Sequence, residues 1–164
     1  PGIARWTGTI EPGSLNESLI NGTDFLPTML ELAGIALPTD RVLDGVSMLP
    51  AFRGEMLQRP GPVYWFFPAH EDTYYRMPHM AMRDGDYTLL AWFPAKDPDQ
   101  LIMDWLKTSP LDRFVLFNLK TDPEQSRDLA DVEPERAAKM AEQMRAYWAE
   151  IKDDSPYWES WKMK

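Results

Sequence analysis

The stretch from Pro134 to Lys152 constrains the fold of this 164-residue chain more than any other. Its apolar residues fall at Ala137, Met140, Ala141, Met144, Tyr147, Trp148 and Ile151. That is the i, i+3, i+4, i+7 spacing of a helix with one apolar face. A helix apolar on one side only needs a second layer to cover that side. The candidates for that layer are short segments rich in β-branched and aromatic residues: VYWFF (63–67), HMAMR (79–83), DYTLLAWF (86–93) and FVLFNL (114–119). Asp84-Gly85 between the second and third suits the positive φ of a tight turn and predicts a hairpin. The expected fold class is therefore α+β, a small antiparallel sheet of about four strands with the helix laid across one face. The fifteen prolines and 12% aromatic residues agree with a loop-rich, sheet-containing body.

The first third of the chain has a different grammar. GIARW (2–6) reads as a short strand closed by Thr7-Gly8. TDFLPTMLELAG (23–34) carries the punctuation of a helix. Thr23 or Asp24 caps it, Pro27 sits in the first turn, and Gly34 supplies a left-handed residue at the end. Phe25, Leu26, Met29, Leu30 and Ala33 form its apolar face, which predicts packing against another element. LPTDRVLDGVSMLPAFRGE (37–55) reads as a turn-rich connector with one helical turn near Ser47–Arg53. Pro60-Gly61-Pro62 punctuates the chain again. The start, PGIARWTG, reads like the middle of a strand, and the chain is expected to be a fragment.

Charge and composition exclude several functions. A net charge of −9 and the lack of any basic cluster argue against nucleic acid or an anionic membrane as partner. No apolar run approaches the roughly 20 residues that span a bilayer. There is no cysteine, hence no disulfide framework and no thiolate metal site. His70 and His79 stand nine residues apart in unlike contexts, without metal-ligand spacing. No glycine-rich phosphate loop and no Gly-x-Ser-x-Gly elbow occur. Asp84 and Asp86 already serve the hairpin turn. From its residues alone the chain is an α+β domain with no catalytic centre of its own, and it binds no metal.

Four motifs carry a resemblance. TDFLPTMLELAG is similar to the Asp-x-x-Pro-Thr-x-x-x-x-Ala-Gly helix of sulfatases, and LDGVSMLPAFRGE resembles the Asp-Gly-x-Ser-x-x-Pro segment that follows it. MRDGDYTLL is similar to the Arg-x-Gly-Asp-aromatic-x-Leu hairpin of that family. LFNLKTDPEQSRDLA (116–130) resembles its Leu-aromatic-Asp/Asn-Leu-x-x-Asp-Pro-x-Glu-x-x-Asn-Leu-Ala signature. The four stand in family order across nearly the whole chain. Asn118, Asp128 and Thr88 depart from the usual residues at their positions.

The resemblance implies the C-terminal portion of an arylsulfatase-type enzyme of the alkaline-phosphatase-like superfamily. Residues 1–58 would be the end of the catalytic α/β domain, and 59–164 the C-terminal subdomain. The parent enzyme would hydrolyse a sulfate ester with a calcium ion and a formylglycine made from Cys or Ser in Cys/Ser-x-Pro-x-Arg. No such motif occurs in this sequence, so the chain alone is expected to be inactive and to need the N-terminal catalytic part as partner. Family resemblance is compatible with a periplasmic, secreted or lysosomal setting and selects none. In YWFFPAHEDTYYR (64–76), His70 and Arg76 are the candidate substrate contacts, since both can donate hydrogen bonds to a sulfate or hydroxyl. VYWFF itself reads as a core strand, His79 as structural, and Tyr157, Trp158 and Trp161 as anchors of the tail. Two other readings stay open. One is a phosphonate or phosphodiester hydrolase fragment of the same superfamily, the other a free-standing carbohydrate-binding or interaction module.

Overall fold

A computed structural model describes residues 2–67 and 78–155. The chain divides into two compact units, Pro1–Gly61 and Pro62–Lys164.

The second unit holds the sheet. Strands β1 (Val63–Phe66), β2 (Met80–Asp84), β3 (Tyr87–Trp92) and β4 (Arg113–Asn118) form one antiparallel sheet in the order β1-β2-β3-β4. The register places Tyr64, Met82, Leu89 and Leu116 in one row, and Phe66, Met80, Ala91 and Phe114 in the next. Side chains alternate between the faces of a strand, so both rows share one face. Against that face lies the predicted helix, here α4 (Pro134–Asp154), with Ala137, Met140, Ala141, Met144 and Trp148 buried. Tyr147 and Ile151 pack at the margin, and the Tyr147 ring stacks on Tyr64 with centroids 4.0 Å apart. Every apolar position of the 137–151 stripe is used.

The hairpin turn differs by one residue from the expectation. Its central pair is Gly85-Asp86, and only Gly85 has positive φ (56°). Glycine first and a negative φ second is the pattern of a type II′ turn. A helix that the pattern did not predict, α3 (Ile102–Thr108), adds Trp105 to the core, where the indole N–H donates to the Pro94 carbonyl at 3.1 Å.

The LFNLKTDPEQSRDLA segment is a joint between β4 and α4. The Asp122 carboxylate accepts from Ser126 N at 3.1 Å and Arg127 N at 2.9 Å, folding the turn onto itself. Asp128 then reaches back: its Oδ1 accepts from Leu116 N at 3.0 Å and Ala130 N at 2.9 Å, while Leu129 N donates to the Leu116 carbonyl at 2.8 Å. The bonds from Asp128 and Leu129 satisfy the Leu116 main chain on the outer edge of β4.

The first unit contains α1 (Phe25–Leu32), preceded by a 3₁₀ turn at Gly22–Asp24, and the short α2 (Leu49–Phe52). Three expectations need correction here. Residues 2–6 are not a strand, because among the described residues no neighbouring segment supplies ladder hydrogen bonds. Asp24 does hold the N-cap position of α1 but makes no side-chain capping bond there; the side-chain cap belongs to Asn21 at the start of the 3₁₀ turn, which accepts from Gly22 N at 2.7 Å while Asp24 accepts from Asn21 N at 2.6 Å. Most of the expected apolar face of α1 is uncovered among the described residues: Phe25, Leu26, Met29 and Ala33 are exposed and Leu30 is half-buried, whereas Pro27 and Thr28 are buried. Gly34 does adopt the left-handed conformation at the helix end (φ 69°).

Candidate functional site

Two buried polar side chains stand out, one in each unit. Asp24 has no exposed surface. Its Oδ1 accepts from Val46 N at 2.9 Å, and its Oδ2 accepts from Asn21 N and from the Arg59 guanidinium. Burial disfavours the carboxylate, but the bonds from Arg59, Val46 and Asn21 outweigh it and hold the pKa below the ordinary aspartate value. Arg59 also donates twice to the Leu19 carbonyl, at 2.9 and 3.0 Å. One helical turn beyond Asp24, Thr28 Oγ1 donates to the Asp24 carbonyl at 2.6 Å and accepts from Met48 N at 2.9 Å.

The Asp-x-x-Pro-Thr and Asp-Gly-x-Ser motifs are thereby tied together. Gly45 is the point of closest approach: a Cβ there would lie 2.1 Å from the Thr23 carbonyl oxygen. With three donors on its carboxylate and no open face, Asp24 is a strut and not an acid or base for a substrate. The sequence marks Asp24 as a candidate helix cap and as the first residue of the Asp-x-x-Pro-Thr motif, but it does not mark Arg59. Its position just before Pro60-Gly61-Pro62 gives no periodic signal.

His79 is the second, with 1% of its surface exposed. Nδ1 accepts from Phe93 N at 3.1 Å, which places the proton of the neutral ring on Nε2. Nε2 has no hydrogen-bond partner among the described residues. The ring stacks on Phe93 at 4.8 Å and meets Trp105 edge-on at 5.6 Å. Burial in this aromatic setting lowers its pKa from the ordinary histidine value. The structural role expected for His79 matches this placement.

His70 and Arg76, the candidate substrate contacts, lie outside the described residues, as do Tyr157, Trp158 and Trp161. Among the described residues no group of three or more His, Asp or Glu side chains converges as a metal site, and no helix is long and apolar enough to cross a membrane. Among the described residues the geometry presents a scaffold in each unit: a satisfied polar joint at Asp24 in the first, and an aromatic core enclosing His79 in the second.

Comparison with known proteins agrees with the resemblance to sulfatases. Steryl-sulfatase of Rattus norvegicus is 45% identical over 56 residues, 34% of this chain and 10% of that protein. The ulvan-active sulfatase of Formosa agariphila is 44% identical over 64 residues, 39% of this chain and 12% of that protein. Among solved structures, the PsFucS1 sulfatase from Pseudoalteromonas sp. superimposes with a TM-score of 0.61 at 26% identity, covering 93% of this chain and 30% of that one. The chain thus spans about a tenth of the length of the curated relatives it matches. The family model for the C-terminal region of N-sulphoglucosamine sulphohydrolase matches residues 1–154, and the chain belongs to that sulfatase C-terminal family.

Proposed function

We propose that this chain serves as the C-terminal part of a sulfuric ester hydrolase, completing the fold and walling the substrate cleft while upstream residues carry the chemistry. The observation that carries the reading is the family match over residues 1–154. Residues 1–58 are assigned to the end of the catalytic α/β domain and 59–164 to the C-terminal subdomain. The partner is the N-terminal catalytic part of the same protein, and the substrate a sulfate ester.

Hydrolysis of such an ester requires charge developing on sulfate oxygens to be neutralised, a task suited to a dication and basic side chains. The described residues do not fit a calcium site, since no acidic cluster converges. The sequence has no cysteine and no Ser-x-Pro-x-Arg, so it does not fit a formylglycine precursor either. Calcium and formylglycine therefore belong to the parent's other residues in this proposal, and no step is assigned to them here. His70 and Arg76 remain the proposed contributors of this chain to substrate binding, as hydrogen-bond donors to sulfate or sugar hydroxyls.

The test compares the full polypeptide with this chain alone on an aryl sulfate and on a matched aryl phosphonate. Sulfate release by the full polypeptide and none by the chain alone is expected. Phosphonate cleavage without sulfate release would overturn the proposal.

A further inference from the structure

Three hydrogen bonds converge on His79 at the margin of the sheet. Its N–H donates to the Ala91 carbonyl at 2.8 Å, its carbonyl accepts from Phe67 N at 2.9 Å, and Nδ1 accepts from Phe93 N at 3.1 Å. Phe67 follows directly on β1 and Phe93 directly on β3, while His79 stands directly before β2. One residue therefore ties the ends of three strands. Any residue but proline can make the two backbone bonds. The third needs a side-chain acceptor, because the His79 carbonyl is engaged by β1, on the other side of the strand.

An acceptor alone does not call for histidine. The ring brings a second nitrogen, and Nε2 is a buried donor without a hydrogen-bond partner among the described residues. Such a donor costs stability. Packing does not account for it either, since a phenyl ring would stack on Phe93 and meet Trp105 without that cost. A side chain that breaks a rule of the interior while closing a junction is the pattern expected where position matters more than stability.

What the junction fixes is the path of the chain. The chain leaves the sheet after Phe67 and re-enters it at His79, so the bond between these two residues joins the two feet of the intervening segment. The bonds to Ala91 and Phe93 fasten those feet to β3, an interior strand of the sheet. His70 and Arg76, the proposed donors to substrate, lie in sequence between the feet.

We propose that His79 is a positioning residue for substrate binding, which sets where His70 and Arg76 meet the ester by holding the two feet together and against β3. This rests on the proposed function, which supplies His70 and Arg76 as the contacts. Binding groups have to be held within about 0.5 Å of their productive places by supporting residues whose own geometry is locked. His79 is locked by three bonds and two rings.

Two variants of the full polypeptide separate the hydrogen bond from the packing. His79→Phe keeps a ring and loses the acceptor. His79→Asn loses the ring and sets an oxygen at the place of Nδ1. On the aryl sulfate, His79→Phe is expected to raise KM about tenfold with kcat within about twofold, and His79→Asn to stay within about threefold of the wild-type KM. In amide exchange on the same preparations, Phe67 and Phe93 should lose about tenfold in protection in His79→Phe, while Leu89 and Leu116 in the middle of the sheet keep theirs.

A fall in kcat with KM unchanged overturns the proposal, because a merely structural residue acts by lowering the folded fraction. Lost protection at Phe67 with KM unchanged overturns it as well. Equal rises of KM in both variants do the same, since packing and not the acceptor would then set the position. Where His79→Phe gives no folded protein, the wild type decides. Feet fastened by one residue open together, so protection at Phe67 and Phe93 should agree within about threefold, and a larger gap overturns the proposal. Kinetics on the aryl phosphonate separate the two claims. Phosphonate cleavage without sulfate release, with the same KM pattern across the variants, refutes the proposed function and leaves the role of His79 standing.

Discussion

At the scale of single residues, the buried polar groups set the pH response. Asp24 titrates below its ordinary value of 3.8 in the fold. A depressed carboxylate contributes stability above its unfolded pKa and loses it as pH falls through the folded one. Acid unfolding below about pH 4 should therefore carry a component that Asp24→Asn abolishes. At neutral pH the same substitution leaves Arg59 without its anion and is expected to cost about 3 kcal/mol, read from urea unfolding midpoints.

His79 acts in a higher window. Its folded pKa lies below the ordinary 6.5, so the unfolded chain binds more protons as pH drops from 6.5 towards the folded value. Stability present at neutral pH is lost across that interval. His79→Gln keeps an acceptor for Phe93 N but cannot charge, and should flatten the stability profile below pH 6.5 in thermal melts. The sequence showed His79 next to a strand start. It did not show the Phe93 and Trp105 rings that desolvate it, because those residues are 14 and 26 positions away.

At the scale of elements, local pattern and long-range packing divide the explanation. The α4 stripe and the β4 joint were legible because helix periodicity and turn chemistry are local properties. Residues 2–6 have strand-like composition, yet a strand exists only where a second chain segment completes its hydrogen bonds. Helix α3 is seven residues long and lies just before Ser109-Pro110, too short for a periodic signal to emerge. The α1 pattern correctly marked an apolar face but not what lies across from it. The junction beneath α1 is the most sequence-sensitive point: Gly45→Ala drives a methyl into the Thr23 backbone. We expect a loss of about 3 kcal/mol, measured by chemical denaturation of the full polypeptide.

At the scale of the whole molecule, the two units differ in how much of their own core they contain. The second unit carries a continuous apolar cluster between sheet and α4, with Met82, Leu89, Leu116 and Met144 fully buried. The first depends on polar joints and exposes its apolar side chains. Limited proteolysis of the 164-residue chain should therefore cut first within residues 2–61 and leave a resistant product containing residues 78–155. Simultaneous cleavage of both units, followed by gel electrophoresis and mass spectrometry, would contradict that difference.

Periodicity, turn residues and motif spacing in the chain specify the α+β class, the four strands with the long helix, and the sulfatase motifs in their order. All of these rest on short-range periodicity, turn residues and residue identity, which a linear string records. The folded arrangement adds that Asp24 and Arg59 meet across 35 positions, that His79 is sealed among aromatic rings, and that α1 turns most of its apolar face outward. Burial and pairing depend on which distant segments come together, and the apolar stripe of α1 reads the same whether its cover is near in sequence or far.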